Sequence, residues 1–314
     1  MNRKAVIICF FYIVVIRDII TSMGHNFFEL DNDVFEDKTN LFGKANVINI
    51  DISRQTLNRA IAEIVLNIDN LEYLFFAKKH FFVSKDTKIS MYNRFLPSTN
   101  EPNIAQYVSN HSSKGNFYSF LAEALLTIIL RDLFEFNLCA CVIDTTDTIF
   151  DGHTGIDSCY CDYHNKKIVL GESKFYKSLQ QALDQIRDDF TVNNSIANKL
   201  DSLLRTASSN RKARKIMIQE AGVKEYKLLH LEEFLELDLV FTGFVLHEGD
   251  HDITAKKLKT DCGFTSPDIE KHISSISGIS GLNYSLIVLH LPIESKQDLI
   301  TLIIEEASRR KESL

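Results

Sequence analysis

Apolar residues recur at helical spacing from Asn116 to Phe136, which predicts a long buried helix. Three strand candidates follow it. They are the short apolar run Leu138 to Ile143, the alternating segment Ile156 to Tyr163, and Lys167 to Phe175. Helical spacing returns over Ser178 to Phe190 and again over Ile196 to Glu220. Leu239 to Leu246 and Ser285 to Leu291 are apolar runs of strand length, and Lys296 to Lys311 reads as a final helix with Glu294 and Ser295 at its capped start. This order predicts an α/β fold, a mixed sheet with helices packed against it.

The earlier part of the chain is less regular. Phe27 to Lys44 is irregular and acidic, Arg54 to Tyr73 reads as one amphipathic helix, and Phe75 to Ser84 as a short aromatic strand. Pro97 and Pro102 sit in a stretch rich in Pro, Ser, Thr and Asn, which marks a loop and a domain boundary. The expected organisation is an N-terminal α/β extension or small domain over 1–103, a candidate for binding a partner, followed by the main domain over 104–314. Ala5 to Ile16 is the one long apolar run, and a bilayer requires about 20 such residues. Its charged start resembles a secretory signal, but no small-x-small cleavage site follows promptly. Its β-branched content favours a buried strand, so the chain is expected to be cytoplasmic, with no membrane-bound part.

Composition narrows the function classes. The chain has 314 residues, 45% hydrophobic and 25% charged, with 12 Gly and 4 Pro, which excludes a disordered or collagenous protein. Six Cys are too few for a disulfide scaffold. A net charge of −7 excludes a general basic coat, so contact with nucleic acid needs a local patch, a metal ion or a partner. No Walker loop, dinucleotide fingerprint or local Ser/His/Asp signature is present.

One region carries chemistry: Asp151-Gly-His-Thr-Gly-Ile-Asp157, then Gly171-Glu-Ser-Lys174. An Asp followed at some distance by Glu-x-Lys is the signature of metal-dependent nucleases, although Glu-x-Lys occurs four times here, beginning at Glu36, Glu172, Glu225 and Glu294. The first lies in a charged loop. The third lies on or beside a helix, where residues two apart diverge. Before the fourth, Pro292 is expected to end sheet pairing. Only Glu172 and Lys174 end a clean strand, where alternation puts both on one face. A two-residue turn at His164-Asn165 pairs residues whose numbers total 329, which sets Asp157 across from Glu172. Facing carboxylates repel, and a divalent cation resolves the repulsion. Mg²⁺ suits such a site, with Mn²⁺ as the alternative, and Lys174 beside it would orient or deprotonate the attacking water and offset phosphorane charge.

Around this core, Glu123 on the apolar helix either lies on its wet side or points into the site as a further metal ligand. His153 either positions substrate or is a turn histidine. Gln181 and Gln185, one turn apart, either bind phosphate or form a polar helix face. Lys177 and the basic run Arg211, Lys212, Arg214 and Lys215 are the candidates for contact with a nucleic-acid backbone, the alternative being a solvated helix face. Between Lys199 and Lys227 eight basic residues stand against three acidic ones. Cys139/Cys141 and Cys159/Cys161 share faces of neighbouring strands, but their spacing is not that of a structural zinc site, so buried thiols and no zinc are expected.

At these residues the sequence resembles the PD-(D/E)xK nuclease superfamily, whose restriction-endonuclease-like core runs helix, three strands, helix, strand. More narrowly, Gly171-Glu-Ser-Lys-Phe-Tyr-Lys-Ser178 after a Gly-x-Asp segment resembles the anti-phage protein A/HamA family, both its Hachiman and its AbpA members. The similarity is strongest over residues 116–190, with an echo in the Leu-His-Leu-Pro292 strand and final helix. The resemblance implies metal-dependent DNA cleavage by the effector of a two-component anti-phage system, working with a helicase subunit of the HamB or AbpB kind. In that reading Asp157, Glu172 and Glu123 hold the metal and Lys174 is the catalytic lysine. Ile156 stands where the superfamily carries proline. The alternatives are a catalytically inactive adaptor that binds DNA or recruits the helicase, and an RNA nuclease. Asp144, Asp147, Asp151 and Asp157 share a stretch without Lys or Arg, so the chain's acidity belongs in part to the site itself.

Overall fold

A computed structural model describes residues 26–48, 56–76, 83–97, 103–111, 118–141, 158–162, 165, 167–191, 238–249, 251–273 and 283–314. A hairpin of β1 (Phe28–Asp37) and β2 (Asn40–Val47) comes first. Four helices follow: α1 (Leu57–Val65), α2 (Ile68–Phe76), α3 (Lys85–Asn93) and α4 (Ile104–His111). The long helix α5 (Ser119–Phe134) leads into β3 (Asn137–Cys141), β4 (Ser158–Asp162) and β5 (Lys167–Tyr176), then α6 (Leu179–Thr191) and β6 (Asp238–Glu248). The chain continues through α7 (Ala255–Cys262), α8 (Ser266–Ile273), β7 (Tyr284–Ile293) and α9 (Lys296–Glu312).

The strands form one mixed sheet in the order β1-β2-β7-β6-β5-β4-β3. Its centre is parallel, with β2, β7, β6 and β5 side by side, and its flanks are antiparallel. Central parallel strands are covered on both faces, and β5, β6 and β7 are accordingly buried along almost their whole length. Val169, Phe175, Val240, Phe244 and Leu289 share a core with α1, α5 and α9. The other face receives α6, where Phe190 meets Phe241 at 5.4 Å between ring centres. Helix α5 is buried on nearly every side from Phe120 to Leu130, which explains why that stretch is apolar except for Glu123 and Thr127.

The predicted α/β architecture and the run from α5 through β5 to α6 and β6 are present. Ser295 caps α9 by accepting the Asp298 amide at 3.2 Å. Other expectations are corrected. Phe27 to Lys44 is a β-hairpin, not an irregular segment. A register shift between Leu30 and Val34 breaks the alternation that would have revealed β1. Arg54 to Tyr73 holds two helices, because the Asn67 side chain accepts the Asp69 amide at 2.9 Å and starts a new one. Phe75 and Phe76 end α2, and Ser84 caps α3 through the Thr87 amide at 3.2 Å, so these parts of the expected aromatic strand end one helix and cap the next.

Pro292 does not end pairing: it lies opposite His247 inside β7. The β2 register stops at His290, so the missing N–H of Pro292 falls where β7 has no neighbour on that side. The loop near 103 does not divide the sheet. β2 pairs directly with β7, and Ala45, Ala60 and Ile61 share a core with Ile300 and Ile303. The apolar run at 5–16 and the helix expected over 196–220 lie outside the described residues. Among the described residues no helix is long and apolar enough to cross a membrane.

Candidate functional site

The hairpin of β4 and β5 sets the site's register. Pairs run from Ser158 opposite Gly171 to Asp162 opposite Lys167, so their numbers total 329 as the turn arithmetic requires. Asp157, the next residue before this ladder, lies outside the described residues, as do His153 and the basic run Arg211, Lys212, Arg214 and Lys215. The side chains of Cys139, Cys141, Cys159 and Cys161 lie outside them too.

Glu172 and Lys174 are together on the α6 face of β5. The Lys174 ammonium donates to Glu172 Oε2 at 3.3 Å. It also pairs with Asp189 Oδ2 at 2.8 Å, a residue of α6. Glu172 is shielded, its side chain 2% exposed, while Lys174 and Asp189 are 20% and 30% exposed. The cation therefore bridges a buried carboxylate to one at the solvent edge. A carboxylate taken out of water is costly unless paired, so Glu172 and Asp189 together hold the Lys174 ammonium in place.

Asp189 is the residue the sequence reading missed. Its signal was present: Gln181, Gln185 and Asp189 stand four apart on one helix, so the polar row of α6 continues to a carboxylate. Gln181 and Gln185 are exposed on that row, and Lys177 is exposed just after β5. Ile186 anchors the helix over Gly243, which pairs with Glu172 in the neighbouring strand.

Glu123 does not lie on a wet helix side: it is 7% exposed. One turn on, the Thr127 hydroxyl donates to the Glu123 carbonyl and lies 2.9 Å from the Tyr160 hydroxyl. Helix α5 thus covers the sheet face that bears Tyr160 and Val169, whereas Glu172 and Lys174 lie on the α6 face.

A second polar cluster shares the α6 face. Val245, His290 and Lys44 are level with Lys174 across β6, β7 and β2. His247 Nε2 lies 3.0 Å from His290 Nδ1, with both side chains buried. His247 Nδ1 faces the Glu248 carbonyl at 3.3 Å and must donate to it. His247 Nε2 then accepts from His290, leaving the His290 Nε2 lone pair buried without a partner. Burial, with His247 and Lys44 adding to it, pushes the His290 imidazole down to about 3, so it is neutral.

Among the described residues no group of three His, Cys, Asp or Glu side chains is placed to hold a metal ion. Of the expected metal ligands Asp157, Glu172 and Glu123, only Glu172 is described on the α6 face, and it supplies carboxylate oxygen, a donor type that hard divalent cations accept.

No curated protein and no solved structure matches the chain. A profile of the HamA family matches residues 52–307, so the similarity begins well ahead of the boundary expected at 103 and runs into α9. That match spans β5, β6 and β7 with Glu172, Lys174 and Asp189, and the chain belongs to the HamA family of anti-phage defence proteins.

Proposed function

We propose that this protein is a metal-dependent nuclease that cleaves DNA as the effector of a two-component defence system. The observation that carries the reading is the pairing of Glu172 with Lys174 on one face of β5, in a β4–β5 hairpin whose described register runs from Ser158 opposite Gly171 to Asp162 opposite Lys167. Asp157 and Glu172 would hold Mg²⁺ or Mn²⁺, which when bound supplies Lewis acidity toward a phosphodiester and lowers the pKa of water. The chain's own groups do the rest. The Lys174 ammonium, fixed beside Glu172, donates to the non-bridging phosphoryl oxygens as charge builds there. Water adds to phosphorus and gives up a proton to solvent, the bond to the leaving sugar oxygen breaks, and that oxygen takes up a proton from solvent.

A net charge of −7 disfavours tight unaided binding to DNA, which supports delivery by a helicase subunit. The test is cleavage of plasmid DNA by the full chain with its partner, in Mg²⁺ or Mn²⁺ and in EDTA, alongside phage challenge. Metal-dependent cleavage that disappears in Glu172→Ala and Lys174→Ala, together with protection, is the expected result. Protection undiminished in both variants would show that the chain acts as an adaptor, and cleavage of RNA alone would reassign the substrate.

A further inference from the structure

We infer that Asp189 is a positioning residue for Lys174, holding its ammonium at the Glu172 carboxylate. The inference rests on the nuclease reading above and adds to it a residue from the crossover helix. A lysine side chain has four methylenes and loses about 2 kcal/mol of rotamer entropy when fixed. Glu172 alone is a weak tether, at 3.3 Å. The shorter contact is to Asp189, at 2.8 Å, the distance of a charge-assisted hydrogen bond.

The carboxylate of Asp189 is itself held by the fold. Helix α6 is anchored on the sheet by Leu179, Ala182, Leu183, Ile186 and Phe190, all buried. At the level of Glu172 the neighbouring strand carries Gly243, and a Cβ there would come within 2.9 Å of Ile186 Cγ2. The missing side chain lets α6 sit close to the sheet, and Asp189, one turn beyond Ile186, is thereby brought to Lys174. Lysine position thus depends on two rigid elements, a strand and a helix, instead of one flexible chain.

The experiment measures kcat and KM for plasmid cleavage by the full chain with its partner, for wild type, Asp189→Asn, Asp189→Glu and Asp188→Asn. Asp188 is a neighbour on α6, 3.5 Å from Arg187 and half exposed, so its variant removes the same charge away from Lys174. The expected result for Asp189→Asn is a kcat lowered about 10- to 100-fold, as for other residues that orient a catalytic group. KM should stay within about threefold, because an interaction made in the transition state is being lost. Asp189→Glu should restore most of kcat, and Asp188→Asn should match wild type. Wild-type kcat in Asp189→Asn, or equal losses in Asp188→Asn, would overturn the inference while leaving the nuclease reading intact. Absence of cleavage by wild type itself would instead remove the nuclease reading, and this inference with it.

Discussion

Gly243→Ala tests whether the closeness of α6 to the sheet is set by one missing methyl group. The added Cβ would lie 2.9 Å from Ile186 Cγ2 and 3.4 Å from its Cδ1, with Val288 Cγ2 at 3.9 Å. Ile186 is branched at Cβ and buried between helix and sheet, so it cannot swing aside. Overpacking of this kind costs about 1–3 kcal/mol, and the reduced entropy of the unfolded chain returns about 0.4–1 kcal/mol. The net expectation is a loss of about 1–2 kcal/mol. At roughly 2.1 cal/mol/K of unfolding entropy per residue, that lowers Tm by about 2–3 °C. Calorimetry or denaturant melts of the full chain measure it. Ile186→Ala alone leaves a cavity and should cost about 2–5 kcal/mol, but it also clears the space that the new methyl would fill. In that background Gly243→Ala should be neutral or stabilising, giving a favourable coupling of about 1 kcal/mol or more. Wild-type stability in Gly243→Ala, or a penalty unchanged by Ile186→Ala, would refute the argument.

Two buried bases each make stability rise with pH, in separate windows. His290 titrates at about 3 when folded against an ordinary 6.5, so the unfolded chain gains its proton first. Stability should fall as pH drops below 6.5 toward 3, by up to about 1.4 kcal/mol per unit, and melts of His290→Gln should show a flatter acid limb. Lys296 is buried, donates to the Phe175 carbonyl at 2.8 Å, and is pushed down by that burial to about 8 from 10.5. Between pH 8 and 10.5 only the unfolded chain keeps this proton, so stability should rise with pH there, and the rise should disappear in Lys296→Met. Replacing Ser295, which caps α9, with alanine should cost about 0.5–2 kcal/mol, read from the midpoint of a urea melt. An unchanged midpoint would show that tertiary packing, not the cap, fixes the start of that helix.

The local features of this chain were legible in its sequence because they depend on neighbours. The helical spacing of α5 and α6, the Ser295 cap, and the apolar runs of β5, β6 and β7 are readable from spacing and residue type alone. So was the β4–β5 register, whose described pairs carry the total that a turn at His164-Asn165 predicts. Elements with disguised patterns were not legible. The register shift in β1 hid the hairpin, and Asn67 split one amphipathic stretch into two helices. The candidate site divides in the same way. Glu172 and Lys174 share a face because alternation requires it, and the sequence contains that fact. That Lys174 meets Asp189, 15 positions on, depends on how closely α6 lies to β6, and so on Gly243 and Ile186. The His247–His290 pair depends likewise on β6 and β7 being neighbours in parallel register, an arrangement that no local pattern encodes. Sequence periodicity determined which side chains face together along one element. Which elements then stand side by side, and at what distance, was decided by packing, because close contacts form only where the facing side chains fill the space between them.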